Sequence, residues 1–386
     1  MRFSCTQENF NQGLTVVSHV ASKNVNLPIL NNVLLKTEEG GIRLLATNLE
    51  IGISCFIRGK VEEQGEFTIP ARVLADYINL LPSQKIDVSL KENYLDINCD
   101  NYQTKIKGEP ASEFPLVPQI KREKPLVAKV GDLVKALQQV IFAVSLSESR
   151  PELSGVLLDF IVEKGKLIIA ATDSYRLAEK NLKVAGREDG VRTIIPANTL
   201  QELQRILGSA SKNQLLADNE SKAENVEIYL GENQILFVYN NIELVSRVIE
   251  GQYPDYSQII PQNYQTQVVI GTDDLIKAVK SSSLFVKTGI NDVLLEFNPS
   301  NEVVVSSVNT QLGENQSVLT ANITGPKNSA VLNYRYLLDG LQALGTPEVI
   351  LEVIDNNTPI ILKPVLTSAE AGVDRDYLYL VMPIKQ

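Results

Sequence analysis

The chain holds a single histidine, His19, and only three cysteines, Cys5, Cys55 and Cys99, in 386 residues. With no second histidine and no Cys-x-x-Cys pair, zinc coordination and histidine-based catalysis lack a ligand set. The cysteines are odd in number and widely spaced, which argues against a disulfide framework; they read as reduced core thiols of a cytoplasmic protein. No apolar run approaches the ~20 residues of a membrane span. The opening MRFSCTQENF has no apolar signal-peptide core, so no secretory leader is expected. No Gly-x-x-x-x-Gly-Lys-Ser/Thr loop occurs, so ATP hydrolysis is not encoded in the usual way. Positive charge is also scarce. The 36 Lys and Arg against 46 Asp and Glu leave a formal charge of −10, so unspecific adhesion to nucleic acid is not what the average composition favours.

What is present is a repeat. Three stretches align: NNVLLKTEEGGIRLLATNLE from Asn31, SGVLLDFIVEKGKLIIAATDSYRLA from Ser154 and NDVLLEFNPSNEVVVSSVNTQ from Asn291. Each reads as a VLL strand, a polar turn and a second strand, the pattern of a hairpin. Downstream, EFTIPARVLADYINLL, RTIIPANTLQELQRIL and SAVLNYRYLLDGLQAL align without gaps, each a strand running into a helix whose leucines recur every three or four residues. Another strand and helix precede each VLL. In the last of these, Thr272-Asp273-Asp274 reads as a helix start with acids at the positive end of the dipole. The unit is thus strand, helix, then about three strands. Its starts fall near Met1, Gly65, Pro125, Gly190, Thr266 and Ser329, spaced by 64, 60, 65, 76 and 63 residues, and the longest interval holds the polar insertion GSASKNQLLADNESKAEN. Six half-units predict an α+β fold of three tandem domains, 1–124, 125–262 and 263–386, with KREKP and PQNYQTQ as linkers.

Stacked repeats of this kind build rings or solenoids more readily than deep catalytic clefts, so the helix charge is counted separately. Expected helices at 8–23, 71–81, 130–145, 197–207, 272–287 and 334–344 carry Lys23, Arg72, Lys135, Arg205, Lys277, Lys280, Lys287 and Arg335. Against these stand Glu8, Asp76, Asp132, Glu202, Asp273, Asp274 and Asp339, a net +1 where the remainder carries −11. Capping explains the acids of the first turns, which leaves mildly basic helix bodies.

The threefold NVLL…ATN pattern, AATDSYRLA (170–178), IEGQYPDYSQIIP (249–261) and the ending YLYLVMPIKQ together resemble the bacterial DNA polymerase III beta subunit family, the sliding clamps, over essentially the whole chain. The resemblance implies three domains of the DNA-clamp fold. Two chains would form a head-to-tail homodimeric ring, helices lining the hole and sheets outside, around double-stranded DNA. Sequence-independent phosphate contacts suit a protein that must slide. Candidate DNA-facing cations are Lys23, Arg72, Lys135, Arg205, Lys277, Lys280 and Arg335; the family's DNA-contacting arginine after the first helix aligns with Asn24. The family's partners are the replicative polymerase, the clamp loader and other proteins bearing a short hydrophobic clamp-binding peptide. The resemblance places their groove on Leu153, Thr172, Tyr175, Arg176, Leu177, Pro254 and Ile259 from the central repeat. Asn333, Tyr336, Val381, Met382, Pro383 and Ile384 supply the rest. Tyr175 stands where the family often has His, and Gln258 where it often has Arg. Ring closure would pair the strand around Thr104–Gly108 with Leu284 and Phe285, Ile106 being the third apolar contact; from the residues alone, Leu284 and Phe285 read as core at a helix end. No cofactor, no metal and no catalytic residue is implied.

Three other readings compete. SASK (209–212), ADN (217–219) and KTG (287–289) fit or approximate the three elements of penicillin-recognising serine enzymes. That mechanism needs its serine at a helix N-terminus, whereas SASK follows a helix expected to end near Leu207. Asp374-Arg375-Asp376 mimics a metal-binding pair but has no third carboxylate obviously placed. A repeat scaffold that binds proteins but not DNA predicts the same fold. In AATDSYRLA, Asp173, Ser174, Tyr175 and Arg176 form a row of reactive-looking groups. Set beside LLATNLE and VSSVNTQ, its Ala-Thr-Asp portion reads as a shared turn, and the Ser-Tyr-Arg-Leu tail is confined to the central repeat.

Overall fold

The computed structural model describes the chain except for residues 22–26, 119, 148, 162–164, 188, 213–223, 287–288, 366–375 and 386. Its element order follows the half-units. The first is β1 (Arg2–Thr6), α1 (Gln7–Val17), β2 (Asn32–Glu38), β3 (Gly41–Thr47) and β4 (Ile51–Arg58), with a short extra strand β5 (Lys60–Glu63). The second is β6 (Glu66–Pro70), α2 (Ala71–Leu80), β7 (Lys85–Lys91), β8 (Tyr94–Cys99) and β9 (Tyr102–Lys107). The third is β10 (Leu126–Lys129), α3 (Val130–Val140), β11 (Gly155–Ile161), β12 (Lys166–Thr172) and β13 (Arg176–Lys183). The fourth is β14 (Val191–Pro196), α4 (Ala197–Lys212), β15 (Asn225–Leu230), β16 (Gln234–Tyr239) and β17 (Ile242–Arg247). The fifth is β18 (Thr266–Gly271), α5 (Thr272–Ser283), β19 (Asp292–Asn298), β20 (Glu302–Asn309) and β21 (Gly313–Thr320), with an extra β22 (Asn322–Thr324). The sixth is β23 (Asn328–Asn333), α6 (Tyr334–Leu344), β24 (Glu348–Val353), β25 (Ile360–Pro364) and β26 (Tyr377–Val381).

Three helices end earlier than expected: α1 at Val17, α3 at Val140 and α5 at Ser283. Lys23 and Lys287 lie outside the described residues, while Lys212 at the end of α4 joins the helix cations. The observed helices carry seven cations and seven anions, so the helix layer is neutral in a chain of charge −10. The start of α5 is as expected, at Thr272. Gly271 is its N-cap and makes no side-chain cap bond, while Asp273 and Asp274 occupy the first turn, where they meet the helix dipole. The α6 boundaries are the clearest. Asn333 caps the start through Arg335 N–H (3.0 Å), and Gly345 ends the helix at φ +65°, a left-handed conformation that glycine adopts without strain.

All strand pairs are antiparallel, and the first strand of each half-unit is exchanged with its neighbour. β6 pairs with β2 while β1 pairs with β7; β14 pairs with β11 while β10 pairs with β15; β23 pairs with β19 while β18 pairs with β24. A half-unit cannot complete its sheet alone, which is why two make a domain. Last strands follow a second rule. β4 of the first half-unit pairs with β17 of the fourth, and β13 of the third pairs with β26 of the sixth. The sheets that result are β5-β1-β7-β8-β9, β10-β15-β16-β17-β4-β3-β2-β6, β14-β11-β12-β13-β26-β25-β24-β18-β22 and β21-β20-β19-β23. The chain divides into two compact units. The first, Met1–Gly131 with Ala185–Arg187 and Glu202–Val248, holds the first two sheets; the second holds the other two.

Each unit is built from apolar helix stripes laid on sheet. In the first, α1 turns Phe10, Leu14 and Val17 inward against β3 and β4 and packs on α2. In the second, α6 buries Leu337, Leu341 and Leu344 against β23, β25 and β26, each fully buried leucine contributing about 2 kcal/mol. Gly340 lies on the same stripe because a Cβ there would stand 2.2 Å from the Tyr379 ring. All three cysteines are buried and unpaired. No described helix is long and apolar enough to cross a membrane.

Candidate functional site

The expected groove residues all belong to the second compact unit. Its centre is the turn between β12 and β13. Thr172 Oγ1 accepts the Ser174 N–H (3.1 Å) and donates to the Arg176 carbonyl (2.6 Å). Asp173 Oδ1 accepts the N–H groups of Tyr175 (2.9 Å) and Arg176 (3.0 Å). Ser174 consequently sits at φ +77°. The same device closes the first repeat. Thr47 accepts from Leu49 and donates to Ile51, Asn48 takes the N–H groups of Glu50 and Ile51, and Leu49 lies at φ +76°. In the last repeat Asn309 accepts from Gln311 and Leu312. The Thr-Asp part of AATDSYRLA is therefore a side-chain-stabilised turn, and its acid is occupied by backbone.

The tail of the motif is different. Tyr175 is 62% exposed and stacks on Tyr336 of α6, ring centroids 6.5 Å apart. Arg176 turns the other way, into the protein. Its Nε donates to Asp173 (3.0 Å), Nη1 to Asp339 of α6 (2.5 Å) and Nη2 to the Phe142 carbonyl (2.8 Å). Burial lowers its pKa, but Tyr379, Asp339 and Asp173 outweigh that, and the guanidinium is held above its ordinary value. Leu177 is wholly buried, as is Val381, and Leu153 and Thr172 are nearly so. Pro383 is buried too, while Met382 and Ile384 are half-exposed. The last strand brings these residues to the turn: Met382 N–H donates to the Tyr175 carbonyl (2.8 Å), and Ile384 N–H reaches the Val331 carbonyl of β23 (2.7 Å). Asn333 caps α6, so its side-chain oxygen is committed.

The 249–261 segment supplies the remaining wall. Tyr253 is buried in a cluster with Leu153, Leu157, Ala170 and Ile194, and its hydroxyl accepts the Thr172 N–H (3.1 Å). Tyr256 packs edge-on against Tyr253 and donates to Glu179 (2.8 Å). Burial, first of all, raises both phenols well above their usual range, so they stay protonated. Asp255 accepts from Ser257 and from Gln258 (2.8 Å), which hold its carboxyl below the usual range. Gln258 is thus tied back to its own turn. Pro254 and Ile259 stand exposed on this frame, Ile259 at 45%. Of the thirteen expected residues, Leu153, Thr172, Leu177, Val381 and Pro383 are buried, Arg176 turns inward, and the other seven are more accessible. Phe142, Tyr253 and Asp339 belong to the same network, and none of the three was expected in the groove. The one available signal was that Tyr253 opens the Tyr-Pro-Asp-Tyr segment.

The cations differ as much. Arg72 and Lys277 keep 80% and 77% of their side chains exposed, with loose surface partners in Asp76 (3.8 Å) and Asp274 (3.6 Å) that contribute little. Lys280 and Arg335 are exposed and Lys135 is half-exposed. Lys23, and Asn24 beside it, lie outside the described residues. Arg205 departs from its expected role. It grips the buried Glu202 through Nε and Nη2, and donates to the Thr15 (3.3 Å) and Val16 (2.8 Å) carbonyls at the end of α1. His19 meets the same carboxylate at 2.7 Å. Arg205 is a brace whose donors already have partners.

Of the strands at sheet edges, two are last strands of half-units. β9 ends one sheet and β21 another. Ile106 on β9 is 8% exposed. Leu284 is not the core residue its sequence suggests but is 71% exposed, and Phe285 is half-buried beside Gly313 at the start of β21. Val308, Leu312 and Val318 add exposed apolar surface around β20 and β21.

The serine-enzyme reading finds no support in what is described. Ser209 lies near the C-terminal end of α4, its hydroxyl donating to the Ile206 carbonyl (2.8 Å). ADN, Lys287, Thr288, Asp374 and Arg375 lie outside the described residues. Asp376 pairs with Lys166 at 3.6 Å. Among the described residues no three His, Cys, Asp or Glu side chains gather in a metal-binding group.

Three family models match in order along the chain: the DNA polymerase III beta subunit N-terminal domain over residues 1–118, its central domain over 129–255 and its C-terminal domain over 257–385. A beta sliding clamp of Staphylococcus epidermidis is 30% identical over 396 aligned residues, covering 100% of this chain and 99% of that protein. One of Staphylococcus aureus is also 30% identical, with the same coverage. Crystal structures of DNA polymerase sliding clamps are similar in fold. The Bacillus subtilis clamp has a TM-score of 0.89 at 25% identity, covering 100% of this chain and 99% of that one; the Pseudomonas aeruginosa clamp has 0.87 at 25%, covering 100% of both.

Proposed function

Since the chain belongs to the DNA polymerase III beta subunit family of sliding clamps, we propose that it acts as a non-catalytic processivity factor in the cytoplasm, two copies closing into a ring around duplex DNA. The observation that carries this is the pairing rule of the last strands. The first half-unit joins the fourth and the third joins the sixth, which leaves β9 of the second and β21 of the fifth as edges. An unpaired edge is a template for another strand. Extending the same rule to a second copy pairs β9 with its β21, twice per dimer, and closes the assembly with two-fold symmetry. The exposed Leu284 and half-buried Phe285 beside β21, with Ile106 on β9, are the apolar part of that contact. The three domains run 1–124, 125–262 and 263–386.

Arg72, Lys135, Lys277, Lys280 and Arg335, with Lys23, are the cations that meet the phosphates; Arg205 is left out because its donors are engaged. A neutral helix layer in an acidic chain attracts DNA only weakly, and weak, sequence-independent contact permits sliding. Retention then comes from topology. The second unit's groove takes the hydrophobic clamp-binding peptide of the polymerase, the clamp loader and other partners, with Tyr175, Pro254, Ile259, Tyr336, Met382 and Ile384 in contact above the buried floor.

Loading on nicked circular DNA tests the ring. The protein should stay on the circle in high salt and leave once the circle is cut. Equal salt-driven loss from circle and linear DNA would refute encirclement and leave a protein-binding scaffold. A solution mass of twice the chain supports the dimer.

A further inference from the structure

The groove contains one charged side chain that does not face it. Arg176 has only 11% of its side chain exposed, and each of its three nitrogens has an acceptor on a different element. Asp173 belongs to the β12–β13 turn, Phe142 to the short turn of helix Ile141–Ala143 that follows α3, and Asp339 to α6. The guanidinium also lies 4.5 Å from the Tyr336 ring centroid and 5.5 Å from that of Phe142. A planar fork held on three sides keeps one orientation, since moving it breaks several charge-assisted bonds together.

Two of those elements carry the exposed aromatic wall. Tyr175 lies two residues after Asp173, and Tyr336 lies one helical turn before Asp339, with their rings inclined by only 23°. Tyr175 also holds Met382 through its carbonyl. The Tyr175 side chain is 62% exposed, so most of its ring faces solvent rather than protein. We infer that Arg176 is a positioning residue: it makes no contact with the docked peptide, and it fixes the Tyr175–Tyr336 wall by tying the turn to α6 through Asp339. The inference rests on the groove being the peptide site.

A double-mutant cycle on the full-length protein tests it, with a fluorescein-labelled clamp-binding peptide of the replicative polymerase as the probe. Asp339→Asn changes a half-exposed acid outside the wall, so the fold is retained, and melting temperature and circular dichroism check that. It should weaken the peptide by about tenfold, the lower end of what one charge-assisted bond contributes. Tyr175→Ala should weaken it at least as much. In the double variant the loss should equal that of Tyr175→Ala alone, because Asp339 acts only through the wall. Arg176→Lys, which keeps the charge but not the fork, should match Asp339→Asn. Losses that multiply in the double variant, or an Asp339→Asn affinity equal to the parent's, would overturn the inference. If the parent protein binds no peptide, the groove reading fails first; if it binds and all variants bind equally, only the positioning role fails.

Discussion

Replacing Arg205 by alanine separates a structural cation from a DNA-binding one. Arg205 bonds Glu202 at 2.5 Å and the Val16 carbonyl at 2.8 Å, with Thr15 at 3.3 Å. Glu202 has 6% of its side chain exposed, so removing its partner strands a carboxylate that water barely reaches, with His19 still beside it. Breaking a fully buried pair costs roughly 3–5 kcal/mol. Arg205 is 28% exposed, and water entering its vacated space returns part of that, so a loss of about 2 kcal/mol is expected. Arg205→Lys keeps the charge but cannot span carboxylate and carbonyls together, and should lose about half as much. Urea unfolding at one fixed protein concentration measures both. In parallel, binding to linear duplex at low salt should keep its salt dependence, whereas losing one phosphate contact would lower the slope of log K against log salt by about 0.9. Unchanged stability together with a reduced slope would refute the brace and return Arg205 to the DNA face.

Two further outcomes are expected. Ile259→Asp alters an exposed rim residue and should abolish peptide capture while shifting stability by less than about 0.5 kcal/mol; Leu177→Asp, at a wholly buried position, should instead unfold the second unit, and a stable Leu177→Asp protein would contradict the floor assignment. Cys5 and Cys55 are pushed up to about 12, chiefly by burial, from an ordinary 9.0, so iodoacetamide at pH 8 should label them only on unfolding, as read by mass spectrometry. Their folded thiols hold protons that unfolded ones release, so this stabilisation is complete below pH 9 and lost between pH 9 and about 12. Rapid labelling of the native protein would refute it.

The half-unit order, the six helices and the turn shared by ATN and ATD were all legible in the residues, because each is a local property. Apolar spacing writes a helix or a strand within a few residues, and a Thr-Asx pair satisfies backbone donors two or three positions away. Even the helix ends misread at Val17, Val140 and Ser283 erred by a turn or so, where local signals fade.

Tertiary structure decided what depends on which surfaces meet. Exchange of first strands, the joining of β4 to β17 and β13 to β26, and the edges this leaves at β9 and β21 involve residues far apart in sequence. Strand edges all offer the same backbone donors and acceptors, so nothing local marks a partner. Side chains follow the same division. A leucine in a motif reads alike whether it ends at 0% exposure, as Leu177 does, or at 71%, as Leu284 does. An arginine on a helix reads as a cation for solvent until a buried carboxylate and two helix-end carbonyls claim it, as they claim Arg205. The sequence by itself determined the elements and the family; the folded chain alone determined which of their side chains remain available to bind.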